Sequence, residues 1–106
     1  MKLLSRAEEI ILLSVFKLEG NAYGISIRKL IRETTGVKWS LAQIYDPLNK
    51  LTHKGYLIKY KGQSTPERGG RYKYLYKITD EGKEALMDIR KVYENIWKKV
   101  PKRELT

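Results

Sequence analysis

The segment TPERGGRYKYLYKIT, residues 65–79, constrains the fold more than any other part of the chain. Its first half contains a proline and two adjacent glycines, which interrupt helices and strands. Its second half is rich in tyrosine and favours a β-strand, which we expect over 72–78. A partner strand is predicted upstream, over 56–61. The two should form an antiparallel hairpin with a polar, glycine-rich loop over 62–70.

The predicted hairpin is strongly basic. Between positions 59 and 77 one acidic residue, Glu67, stands against six basic ones: Lys59, Lys61, Arg68, Arg71, Lys73 and Lys77. The whole chain has 22 Lys+Arg and 12 Asp+Glu, a net charge of +10 and an isoelectric point near 9.8. A balance of this kind suits a protein that binds nucleic acid or an anionic membrane surface.

Composition excludes several classes of protein. A chain of 106 residues indicates one domain. It has no cysteine and a single histidine, so disulfides, thiolate chemistry and a histidine-rich metal site are not expected. No apolar run reaches the roughly 18 residues of a membrane span, and MKLLSRAEE turns acidic too early for a signal peptide. Paired carboxylates, a nucleophile–base pair and a P-loop are also missing. We therefore expect a cytoplasmic protein without enzymatic activity or cofactor.

Two helices are predicted at the start of the chain. Ser5 and Glu8 have the spacing of a capping box, so a first helix should run over 6–18. This helix is apolar on almost every side, more than a small domain can cover, which points to a second chain. A second helix is expected over 23–35, ended by Gly36.

A third helix should begin after Ser40, a good N-cap residue. Its inward stripe is predicted to contain Leu41, Ile44, Leu48 and Leu51. The opposite face should expose Ala42, Gln43, Asp46, Asn49, Lys50 and His53. Pro47 lies inside this helix and removes one backbone hydrogen bond, so we expect a bend or a 3₁₀ start near Tyr45.

The last predicted helix starts after Thr79 and presents a regular apolar stripe. The stripe consists of Leu86, Ile89, Tyr93, Ile96 and Val100. Its steps of three and four residues repeat over two heptads, a pattern typical of helices that pair with another helix.

The order of elements is helix, helix, helix, strand, basic loop, strand, helix. It predicts a mainly α-helical fold with a small β-hairpin, a winged helix-turn-helix. We expect residues 1–79 to form the DNA-binding unit. Residues 80–106 should add a C-terminal dimerisation helix to the same single domain. In such a fold the third helix enters the major groove and the hairpin, or wing, contacts the backbone. The candidate DNA-binding residues are Lys38, Ser40, Gln43, Tyr45, Lys50, Arg68, Gly69, Gly70, Arg71 and Lys73.

The sequence is also compatible with two other functions. Winged helices also serve as protein-interaction modules, although such a module does not need a hairpin with six basic residues. A basic architectural protein with little sequence preference is the second alternative. The small number of basic residues on the third helix, and Asp46 on its face, fit that alternative.

The sequence resembles the PadR family of bacterial and archaeal transcriptional regulators over nearly its whole length. The resemblance lies in EEIILLSVFKLEGNAYGISIRKLI, SLAQIYDPLNKLTHKGYLI and TPERGGRYKYLYKITDEGKEAL. The last segment is the most specific. Asp46 departs from the pattern, because family members often place proline directly after the tyrosine of the third helix. Leu75 stands where the family often has tyrosine.

The resemblance implies a homodimeric repressor of the short form, with one helix after the wing. In the family that helix packs against the first helix of the partner. The expected interface residues are Ile10, Leu13, Leu86, Ile89, Ile96 and Val100. Some relatives bind flat aromatic drugs between tryptophans at the dimer centre. Tyr93 and Trp97 are therefore expected either in the dimer core or around a small aromatic effector.

Overall fold

The computed structural model describes residues 3–63 and 72–101, and it contains four helices and one hairpin. The elements in chain order are α1 Arg6–Lys17, α2 Gly24–Thr35, α3 Leu41–His53, β1 Leu57–Lys61, β2 Tyr74–Ile78 and α4 Asp80–Trp97. This order confirms the predicted winged helix-turn-helix. The strands are each slightly shorter than expected, beginning at Leu57 and Tyr74.

Side-chain caps fix the starts of α1, α3 and α4. The Ser5 hydroxyl accepts from the Glu8 N–H at 3.1 Å, and the Glu8 carboxylate accepts from the Ser5 N–H at 2.9 Å. Thr79 caps α4 by accepting from the Gly82 N–H at 3.1 Å. Gly36 ends α2 with φ of 75°, a left-handed conformation that favours glycine. The capping residues predicted from the sequence are therefore confirmed at helix N-termini and at the C-terminus of α2.

The core lies where α1, α2 and α3 meet the base of the hairpin. Its fully buried members come from every element except α4: Ile11, Leu12, Val15, Ile27, Ile31, Ile44, Leu48, Leu51, Leu57 and Tyr76. Helix α4 adds Ile89, which is 6% exposed. Ile89 therefore packs mainly on its own domain, and its predicted place in a dimer interface stays a prediction.

Helix α3 is continuous through Pro47, so the expected 3₁₀ start is wrong. The proline ring is buried against the core, and the carbonyl it leaves without an N–H partner belongs to Gln43, an exposed residue that water can reach. Leu41 also differs from its prediction, since it is 48% exposed. The first turn of α3 projects beyond the core, and the inward stripe begins at Ile44.

The hairpin is antiparallel, with Leu57 opposite Ile78, Lys59 opposite Tyr76 and Lys61 opposite Tyr74. A further hydrogen bond joins it to the rest of the domain, because the Tyr76 N–H donates to the Ala22 carbonyl at 2.8 Å. Tyr76 is buried and anchors the hairpin to the core, whereas Tyr72 and Tyr74 are about half exposed.

An ion pair joins the start of α1 to the end of α3. The Lys54 ammonium lies 2.6 Å from a carboxylate oxygen of Glu8, whose side chain is nearly buried. Burial alone would raise the pKa of Glu8. Hydrogen bonds from Lys54 and Ser5 outweigh burial and hold this pKa below its usual value. The folded state therefore binds the Glu8 proton less readily than the unfolded state.

The Glu8→Gln variant is expected to lower the free energy of unfolding at pH 7 by about 1–2 kcal/mol, since it removes a charge-assisted hydrogen bond. A lowered folded-state pKa stabilises the protein above the unfolded value and loses that effect as the pH falls. Stability of the wild type should consequently drop between about pH 5 and pH 3, and the variant should show a smaller drop. Urea unfolding at several pH values measures both. Glu33→Gln, which breaks an exposed 4.0 Å pair with Lys29, serves as the control.

Candidate nucleic-acid interface

The polar face predicted for α3 is exposed along the whole helix. All six of its expected members are exposed in the structure: Ala42, Gln43, Asp46, Asn49, Lys50 and His53. The buried stripe on the other side holds the helix against α1 and α2. The fold therefore presents this face outward, as a helix must do to enter a DNA groove.

Two candidate residues on α3 also have structural roles. The Ser40 hydroxyl accepts from the Gln43 N–H at 3.2 Å, and the Gln43 amide oxygen accepts from the Ser40 N–H at 2.8 Å. In this arrangement the amide NH₂ of Gln43 is free to donate, whereas its oxygen is engaged. As long as the cap persists, Gln43 can offer a donor to a base edge but not the bidentate pairing typical of adenine.

Three polar residues of this face border one shallow cavity. Gln43, Asp46 and Lys50 line a space of about 440 Å³ between α3 and the start of α1. Trp39 forms part of its wall and packs against the core. Lys38 is exposed in the connection before α3. The structure thus brings Gln43 and Lys50 together on one side of the helix.

Tyr45 lies on another side of α3, toward the hairpin. Its ring covers Gly24 so closely that a Cβ at position 24 would overlap the phenol hydroxyl. The side chain is 40% exposed and lines a pocket with residues of the hairpin. Tyr45 therefore lies between α3, the candidate DNA-contacting helix, and the wing.

The wing contributes Lys73, whose ammonium lies 4.0 Å from the ring centroid of Tyr23. The other wing candidates, Arg68, Gly69, Gly70 and Arg71, lie outside the described residues. The predictions for these four positions stay predictions.

Sequence reasoning missed several residues of this surface. Lys59 lies over the ring of Tyr74 at 4.7 Å and Lys61 over that of Tyr72 at 5.1 Å. The alternation of lysine in one strand and tyrosine in the other was a usable signal, since cross-strand neighbours share a face. Tyr23 had no such signal, because its contact with Lys73 depends on how the hairpin packs beside α2.

A second surface lies between α1 and α4. This α1–α4 groove has a volume of about 780 Å³. Its apolar lining consists of Ile10, Leu13, Phe16, Leu86, Met87, Ile89, Tyr93 and Trp97. Leu13, Met87 and Trp97 are each more than half exposed, and so is Ile96 farther along α4. Val100 is half-buried.

Tyr93 makes polar contacts at the edge of the α1–α4 groove. Its hydroxyl donates to the Glu9 carboxylate, with oxygen–oxygen distances of 2.8 and 2.9 Å. This hydrogen bond raises the pKa of Tyr93, because removing its proton would place two negative charges together. The bond connects the two helices that form the groove.

The part of the chain that the structure describes, 3–63 and 72–101, lacks two kinds of feature. No cluster of three or more His, Cys, Asp or Glu side chains there could hold a metal ion. None of the helices there has the length and apolar character needed to cross a bilayer.

The fold and the exposed third helix define a winged helix-turn-helix protein. The family model "Transcriptional regulator PadR-like family" matches residues 12–88, which is most of the chain. The chain therefore belongs to the PadR-like family of transcriptional regulators, and these regulators bind DNA.

Solved structures agree with this assignment. A PadR family transcription regulator from Clostridium difficile R20291 is 34% identical, with a TM-score of 0.66, covering 92% of this chain and 98% of that one. A transcriptional regulator from Clostridium thermocellum is 26% identical, with a TM-score of 0.69 and coverage of 86% and 85%. No curated protein matches the chain significantly.

Proposed function

We propose that this protein is a homodimeric transcriptional repressor that binds an inverted repeat in double-stranded DNA. The main support is the exposed polar face of α3 beside a wing whose lysines lie on tyrosine rings. The α3 helices of the two copies would enter successive major grooves. The half-sites should accordingly be about one helical turn, or a multiple of it, apart.

Residues 80–106 are proposed as the dimerisation segment, with a second copy of the chain on the α1–α4 groove. The exposed apolar residues of this groove support a protein partner, since a monomer rarely leaves such a surface open. Charge along α4 supports a second copy in antiparallel orientation. Its first half has four acidic residues and one basic (Asp80, Glu81, Glu84, Asp88 and Lys83). The second half and the residues after it reverse this balance (Arg90, Lys91, Lys98, Lys99 and Glu94).

A small aromatic effector is proposed as a second occupant of the same groove in the dimer. Phe16, Tyr93 and Trp97 offer aromatic faces there, and the two carboxylates and two basic groups of the lining balance in charge. Stacking on the aromatic faces is therefore the feature that suits a planar ligand. If the two copies close completely on each other, Tyr93 and Trp97 are dimer core only.

The test of DNA binding is a salt titration that compares the DNA upstream of the protein's own coding sequence with a random duplex. We expect affinity for both to fall steeply with salt, because binding releases counterions from phosphates. A specific repressor of its own gene should prefer the upstream DNA by about 10³ or more. Equal affinity for the two would contradict self-regulation and would indicate either an operator elsewhere or the architectural alternative. Failure to bind either duplex at low salt would leave the protein-interaction module.

A further inference from the structure

One face of the hairpin changes from apolar to basic along its length. Cross-strand partners share a face, so the pairing puts Leu57, Lys59 and Lys61 on one side together with Tyr74 and Tyr76. Leu57 and Tyr76 are buried at the core end. Lys59, Lys61 and Tyr74 are exposed toward the tip. The domain core therefore continues directly into a surface of tyrosines and lysines.

The lysines of this surface contact aromatic rings, and they form no salt bridge with a described carboxylate. Lys59 and Lys61 lie over tyrosine rings of β2 and the residues before it, and Lys73 lies over Tyr23 at 4.0 Å. Among the described residues, none of the three forms a salt bridge with a carboxylate. An aromatic ring fixes an ammonium group while leaving its charge available to an anion.

A pocket of about 260 Å³ opens between this surface and the start of α2, and we call it the tyrosine pocket. Its lining consists of Tyr23, Ile25, Tyr45, Lys59, Tyr72, Lys73, Tyr74 and Tyr76. Tyr76, which is only 2% exposed, lies at the buried end of this lining. Burial, with a smaller effect of Tyr45, raises the pKa of Tyr76, so its hydroxyl stays protonated and can donate.

The start of α2 adds to the positive character of this pocket. Tyr23 is the N-cap residue and provides no side-chain hydrogen bond to the first turn, which contains no acidic residue. Unpaired N–H groups at a helix start favour an anion. The tyrosine pocket thus combines two ammonium groups, a tyrosine hydroxyl and the start of a helix.

We propose that the tyrosine pocket binds a phosphodiester group of the DNA backbone beside the bases that α3 contacts. This inference deepens the proposed function and rests on it. Tyr45 belongs to α3 itself, so a phosphate in the pocket would fix how α3 lies in its groove. Lys61 extends the positive charge beyond the pocket toward the tip. A continuous polyanion uses that extension, whereas a small free anion does not.

The experiment measures the slope of log affinity against log salt concentration on a random-sequence duplex. Lys59→Gln and Lys73→Gln should each lower the magnitude of the slope, and the double variant should lower it by about 0.9, the value for one lost phosphate contact. Lys77→Gln is the matched control, because Lys77 lies opposite Ile58 on the other face of the same hairpin. It should leave the slope unchanged. Thermal unfolding of each variant confirms that the fold is retained.

A second variant tests the aromatic support. Tyr74→Leu removes the ring beneath Lys59 without changing charge, and we expect affinity to fall about two- to fivefold. An exposed tyrosine with no role in binding would show no such loss, and unchanged affinity would contradict the proposed support.

The outcomes separate this inference from the proposed function. If the wild type binds the duplex with a steep slope and both lysine variants keep that slope, the tyrosine pocket is not a backbone contact. If the wild type fails to bind at all, the proposed function itself is wrong. Binding of inorganic phosphate to the DNA-free protein, at constant ionic strength, gives a third readout. If Lys73→Gln abolishes this binding but leaves the DNA slope unaltered, the pocket binds a free anion and the proposal is wrong.

Discussion

The Gly82→Ala variant is expected to lose about 2–4 kcal/mol of stability, although alanine is usually the better helix residue. A Cβ at position 82 would overlap the carbonyl oxygen of Tyr56 and lie 2.7 Å from Cγ1 of Ile78. The Tyr56 carbonyl belongs to the backbone just before β1, so it cannot rotate away as a side chain can. Chemical denaturation of the purified variant measures the loss.

Gly24→Ala is the informative comparison. Its added Cβ meets the outer end of the Tyr45 ring, which is 40% exposed and can rotate away. We therefore expect Gly24→Ala to cost less than about 1 kcal/mol while displacing Tyr45 from the tyrosine pocket. Equal losses of stability for Gly82→Ala and Gly24→Ala would contradict the close packing of α4 on the backbone of Tyr56.

Glutamate at position 13 or 96 is expected to convert the proposed dimer into a monomer at micromolar concentration. Leu13 is 58% exposed and Ile96 63% exposed in the single chain, so neither change should unfold it. In a dimer either change would bury an unpaired charge, which is strongly unfavourable. Because two linked half-sites raise affinity by about 10²–10⁴, the monomer should bind an inverted repeat at least about 100-fold more weakly.

Light scattering after gel filtration measures the mass of each variant. Ile58→Glu is a suitable control, since Ile58 is 55% exposed on the hairpin, away from the α1–α4 groove. It should remain a dimer. The chain has two tryptophans, so a Trp39→Phe background leaves Trp97 as the only reporter of a planar cationic dye. Quenching in that background, lost with Leu13→Glu, would support an effector site formed by two copies. A dimeric Leu13→Glu protein would disprove the assigned interface.

Local sequence patterns were sufficient to predict most of the fold. Ser5 with Glu8, Ser40, Gly36 and Thr79 are short-range signals, since each satisfies backbone groups within a few residues. The exposed face of α3 followed from helical periodicity alone. The same periodicity wrongly predicted that Leu41 is buried. Apolar spacing continues along the whole helix, whereas the core covers α3 only from Ile44 onward.

The missed contacts that had no sequence signal join residues far apart in the chain. Glu8 and Lys54 are separated by 46 positions, and the Lys73–Tyr23 contact depends on hairpin and helix packing together. Ile89 packs mainly on its own domain, and the heptad stripe could not indicate this, because it shows that a helix is covered and not which chain covers it. Tertiary packing supplies this information.

The hydrogen bond from the Tyr76 N–H to the Ala22 carbonyl has a consequence for how the wing can vary. A hairpin usually takes its strand alignment from its connecting turn. Here the position of β2 is also fixed by a hydrogen bond to a segment before α2. A shift by one residue would break that bond and put Lys77 in the place of Tyr76. The alignment is thus set at the base of the wing, which leaves the tip free to change in length and sequence as DNA targets diverge.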